Sequence, residues 1–153
     1  MRYSATNLGR RITPRAILVL FLTMTLSCAS ISLYSEAAYE RATSLKVESL
    51  ALMDSATEEF GDHQIAVEDL KIQLEKAYEF AKGRPNNEIS TRQWEILKDP
   101  ERHLLGGFLK RWEQDGRLSR EFVIQAKGLV SDAFDAIIGL ESGKIKPEGL
   151  KNK

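Results

Sequence analysis

The chain has 153 residues, of which 42% are hydrophobic and 29% charged, an ordinary composition for one globular domain. Its formal charge of zero is unevenly spread: four arginines and no carboxylate precede Cys28, and from Cys28 onward 22 acidic residues face 18 basic ones. A net-acidic body argues against nonspecific nucleic-acid binding, which depends on lysine and arginine displacing phosphate counterions. A single cysteine excludes an internal disulfide, so stability must come from packing.

At the amino terminus, residues 1–15 are basic, residues 16–27 (AILVLFLTMTLS) are apolar apart from small hydroxylated side chains, and the run closes on small residues around Cys28. Basic, apolar and small segments in that order are what a secretory signal requires. A helix over 16–27 rises about 18 Å, short of a ~30 Å hydrocarbon core. Thr25-Leu26-Ser27-Cys28 resembles the lipobox of bacterial lipoproteins, a resemblance confined to residues 1–30. It implies cleavage before Cys28, a diacylglyceryl group on the Cys28 thiol, and acylation of the new amino terminus. Residues 1–27 are then a removed signal peptide and 28–34 a tether. The protein is held by membrane lipid in the cell envelope and faces the periplasm. Ala29 stands where an aspartate would resemble an inner-membrane retention signal, which points to the outer membrane. The alternative is an uncleaved anchor over Ala16 to Tyr34, 19 residues and long enough to span. In both readings the arginines hold the amino terminus in the cytoplasm and place the body across the membrane.

The body, 35–142, reads as an all-α antiparallel bundle of four to five helices. Ala38, Ala42, Leu45, Ser49, Leu52 and Ala56 alternate at spacings of four and three, and Phe60 extends this seam until Gly61-Asp62 interrupts it. Val67, Leu70, Leu74, Ala77 and Ala81 repeat the pattern over 63–82, which predicts a helical hairpin. The loop GRPNNEIS (83–90) follows, with Ser90 and Gln93 in capping-box register ahead of Trp94 and Leu97. Asp99-Pro100 is read as stopping that helix and starting the next, whose face is Leu104, Leu105, Phe108, Leu109 and Trp112, up to Asp115-Gly116. Ser119 caps the last helix, with Leu118 and Val123 as a hydrophobic staple. Its stripe (Phe122, Ala126, Leu129, Val130, Ala133, Phe134, Ile137, Ile138, Leu140) is broad enough to suggest the central helix of the core. Residues 143–153 read as a flexible basic tail. Residues 36–81 hold 11 acids and 4 bases, whereas 82–153 hold 11 acids and 14 bases, so the two halves should attract each other.

Catalytic patterns come only as near misses. His63 and His103 are far apart in sequence, and no Glu-x-x-His pair exists, so neither a metal nor a cofactor is expected. Gly139 to Lys144 (GLESGK) lacks the spacing of a phosphate-binding loop and has Ile145 where serine or threonine should follow. The unusual stretch is LLGGFLKRW, 104–112. Two adjacent helical glycines cost ~2 kcal/mol relative to alanines. Gly106 and Gly107 therefore mark either close packing against the last helix or a hinge or groove for an apolar ligand. Trp94 and Trp112 are core anchors, or binding hot spots if exposed together. These features predict a noncatalytic accessory subunit with an envelope protein partner. The alternative is a ligand-binding sensor bundle on an uncleaved anchor.

Overall fold

The computed structural model describes residues 34–145; the signal segment, Cys28, most of the tether and residues 146–153 lie outside the described residues. The described chain is all-α. Its helices are α1 (Glu36–Asp54), α2 (Phe60–Lys82), α3 (Glu88–Lys98), α4 (Leu105–Asp115) and α5 (Arg120–Glu141), with a 3-10 turn at Ser55–Thr57. None of these helices is long and apolar enough to cross a membrane.

Ser35 opens α1 by accepting a hydrogen bond from the Ala38 N–H at 3.3 Å, and Glu36 complements the positive end of the helix dipole. The seam buries Ala38, Ala42, Leu45 and Ser49 as expected, then passes to Met53 in place of Leu52. An undistorted helix has ~3.6 residues per turn, so a 3.5-residue seam drifts and slips forward by one position. The hairpin break also moves, to Glu58-Glu59 in place of Gly61-Asp62, and Phe60 opens α2 instead of extending α1. The cause is tertiary. The Phe60 N–H donates to the Gly116 carbonyl and the Leu118 N–H to the Ala56 carbonyl, both at 2.8 Å, and the Trp112 indole N–H donates to the Glu58 carbonyl at 3.2 Å. The α1–α2 and α4–α5 corners thereby clasp each other, and the exposed Gly61 is free to be helical.

The α2 seam is buried at all five predicted positions. By contrast α3 starts at Glu88, ahead of the expected Ser90 cap. Asp99-Pro100 ends α3 but starts no helix: the Asp99 carboxylate accepts from the Glu101 N–H at 2.9 Å, and five residues of turn precede Leu105. Ser119 does cap α5, accepting from the Phe122 N–H at 3.3 Å, with Leu118 and Val123 buried beside it.

α5 runs antiparallel along α1. Lys46 pairs with Asp135 at 2.6 Å, and eight residues further along α1 Asp54 pairs with Lys127, eight residues back along α5. α2 packs on α1 and α3, α3 also packs on α5, and α4 lies against α2 and α3. The buried face of α5 is narrower than its apolar stripe. Val130, Phe134 and Ile137 are buried, but Leu129 is 56% exposed and Phe122 and Ala126 are half-buried, because α4 does not close over them. α5 thus packs on both α1 and α3 through a narrower face than its stripe suggests, with one edge left open. Beyond residue 142, Gly143 turns the chain at φ +70° and the Ile145 N–H donates to the Gly139 carbonyl at 2.9 Å, so packing continues into the segment assigned to the tail.

Among the described residues one buried side-chain polar atom has no partner, the Ser49 hydroxyl on the α1 seam. A buried unpaired hydroxyl costs about 1–3 kcal/mol. Ser49→Ala should therefore raise unfolding stability by about 1 kcal/mol and Tm by a few degrees in thermal denaturation. An unchanged or lower Tm would contradict the seam packing described.

Candidate functional site

The two tryptophans are not brought together at the surface. Trp94 is buried edge-on to Phe134, with ring centroids 5.9 Å apart, and Trp112 is buried between Phe60 and His63 at 5.6 and 5.5 Å. Both are core anchors. Gly106 and Gly107 sit in the first turn of α4, and their tight packing is against α3 and the 99–104 turn, not against the last helix. A Cβ on Gly106 would overlap the Lys98 carbonyl and the Asp99 backbone, and one on Gly107 would overlap the Arg102 carbonyl. The glycine pair lets α4 turn back directly on the end of α3, which compensates its low helix propensity.

The same close approach leaves a groove on each side of α4. Gly106 faces a cavity of about 330 Å³ among α2, α3 and α4, walled by Leu74, Leu109, Lys71, Lys98 and Glu113. Gly107 faces a larger one of about 520 Å³, between the 99–104 turn, α4 and the first half of α5. Leu104, Phe108, Phe122, Ala126 and Leu129 form its apolar floor, and Arg102, Lys110 and Arg111 stand on its rim with Glu101 and Asp115. Phe108 and Phe122 stack with centroids 6.0 Å apart and planes within 2° of parallel. The Arg111 guanidinium lies over the Phe122 ring at 4.4 Å, while its Nε–H donates to Asp115 at 3.1 Å.

A buried polar cluster at the other end of the bundle is absent from the sequence reading. The Glu141 carboxylate, 3% exposed, accepts from Arg84, from the Ser90 hydroxyl at 2.5 Å and from the Asn87 amide at 3.5 Å. Asn87 also donates to the Ala81 carbonyl at 3.0 Å, so the amide ties the end of α2 to the start of α3. The available signal was spacing: Glu141 continues the buried series Val130, Phe134, Ile137, and a carboxylate in an apolar register requires buried donors. The arrangement is a structural fastening between the α2–α3 loop and the end of α5.

Elsewhere the charge halves meet through ion pairs, Lys98 with Glu75 at 2.8 Å and Lys71 with Glu113 at 3.7 Å. The hydrogen bond from Lys82 to Glu79, with that carboxylate's charge, pushes the exposed Lys82 ammonium above the usual lysine range. Among the described residues, no three His, Cys, Asp or Glu side chains converge as metal ligands. Compared with known proteins, the chain matches no family model, no curated sequence and no solved structure.

Glycine substitutions should separate packing from propensity. Gly107→Ala is expected to cost more than about 2 kcal/mol by driving a methyl group into backbone, whereas Gly128→Ala, in open space on α5, should gain up to about 1 kcal/mol. Equal effects in chemical denaturation would refute the close approach of α4 to the turn. For the polar cluster, Glu141→Ala should cost about 3 kcal/mol by removing the buried carboxylate that Arg84, Ser90 and Asn87 share. A loss below about 1 kcal/mol would show that the fastening contributes little.

Proposed function

We propose that the protein is a bacterial envelope lipoprotein, tethered through acylated Cys28 and facing the periplasm, that acts as a noncatalytic interaction or accessory subunit. The observation that carries the reading is the basic, apolar and small order of residues 1–27 ending on the chain's single cysteine. Two or three acyl chains give firm attachment, since each buried methylene contributes ~0.8 kcal/mol whereas one myristoyl chain binds only marginally. The tether, residues 28–34, reaches at most about 25 Å, so it confines the bundle near the bilayer and raises its effective concentration toward membrane neighbours. The groove between α4 and α5 supports an interaction role, because Leu129 is exposed there and Leu104, Phe122 and Ala126 are only partly covered at the edge of the core. The runner-up, a sensor bundle on an uncleaved anchor, draws on the smaller cavity at Gly106.

Intact mass of the membrane-extracted protein distinguishes the two. The lipoprotein reading predicts a chain lacking residues 1–27 and carrying acyl mass, with both changes lost in Cys28→Ser. A full-length chain of unmodified mass would overturn it in favour of the anchored alternative.

A further inference from the structure

We propose that the groove between α4 and α5 docks an amphipathic helix of a partner protein, with apolar anchors on its floor and acidic side chains against the rim arginines. The α5 side of the floor is itself a helical ridge: Phe122, Ala126 and Leu129 follow one another at i, i+4 and i+7, the spacing that receives the knobs of a packed helix. Leu129, over half exposed, is the open end of that ridge. The aromatic wall is preorganised, since Phe122 lies parallel to Phe108 and carries the Arg111 guanidinium over its ring.

Charge selects the occupant. Lys110 is paired with Glu101 at 2.6 Å and Arg111 with Asp115 through its Nε, so the rim cations with donors left over are Arg102 and Arg111. Arg102 touches Asp99 only at 3.5 Å, and Arg102 and Arg111 are 58% and 55% exposed, so both retain guanidinium donors for a carboxylate. Planar guanidinium groups bind carboxylates in paired hydrogen bonds, which favours glutamate or aspartate flanks on the docking helix. Phe122 to Leu129 lie beside the end of α1 opposite its Ser35 cap, as the Asp54 to Lys127 pair shows, so the groove is independent of the proposed tether.

The test uses full-length protein in phosphatidylcholine nanodiscs and a labelled synthetic amphipathic helix of about 18 residues, with leucines at i, i+4 and i+7 and glutamates flanking them. Fluorescence anisotropy should show saturable binding. Leu129→Asp or Arg102→Glu should each weaken it about tenfold, Ile65→Asp on the far face of α2 should leave it unchanged, and a lysine-flanked version of the helix should bind more weakly. Circular dichroism confirms that the variants, all at exposed positions, stay folded. No saturable binding, equal binding to the groove variants, or preference for the lysine-flanked helix would overturn the proposal. So would displacement of the glutamate-flanked helix by phosphatidylglycerol vesicles, since the groove would then be a lipid site. Intact mass of the same preparation reports separately on Cys28, so failure of the tether and failure of the groove are told apart.

Discussion

The antiparallel packing of α5 along α1 is the constraint on which the rest of the molecule depends. Two lysine–aspartate pairs eight residues apart mark its register, and the backbone bond from Leu118 to Ala56 fixes where it begins. The ion pairs are partly exposed and individually worth ~0–1 kcal/mol, so they specify alignment more than they supply stability. Stability comes from what the alignment buries: the small seam of α1 against the large side chains Val130, Phe134 and Ile137. With that register set, the Glu141 cluster falls at one end of the bundle and the clasped corners at the other. The groove opens near the corners because α4, held by its glycines against the end of α3, stops short of α5.

Most of the helical architecture was legible because burial on a helix leaves a period. The α2 seam, the Ser119 cap with its staple, and the stop at Gly116 all follow from local chemistry that tertiary packing does not oppose. The α1–α2 break was misplaced for the complementary reason. Gly61 carries the stronger local signal, but the chain breaks at Glu58-Glu59, where the Glu58 carbonyl is claimed by Trp112, 54 residues away. Asp99-Pro100 misled similarly, since an aspartate that caps a helix also closes an isolated turn.

The site was legible in part. The glycine pair was identifiable by its cost, and close packing was the expected compensation, but the surface it packs against is a carbonyl-lined turn that no spacing rule reveals. The Glu141 cluster escaped because its members come from three segments, each with an ordinary local explanation: a loop arginine, a helix-start asparagine and serine, and a helix-end glutamate. Only the place of Glu141 in the apolar register hinted at it. The proposed export signal in residues 1–28 rests on a different kind of sequence information, the order of basic, apolar and small segments.

These observations converge on the antiparallel register of α5 on α1, which sets the Glu141 cluster and the groove at opposite ends of the bundle. That register is tested most directly by cross-linking with a short bifunctional maleimide in a Cys28→Ser background, comparing the pair Asp54→Cys and Lys127→Cys with the pair Asp54→Cys and Asp135→Cys, whose second positions are about 12 Å apart along α5. The account predicts rapid cross-linking of 54 to 127 and little of 54 to 135; equal or reversed cross-linking would contradict it.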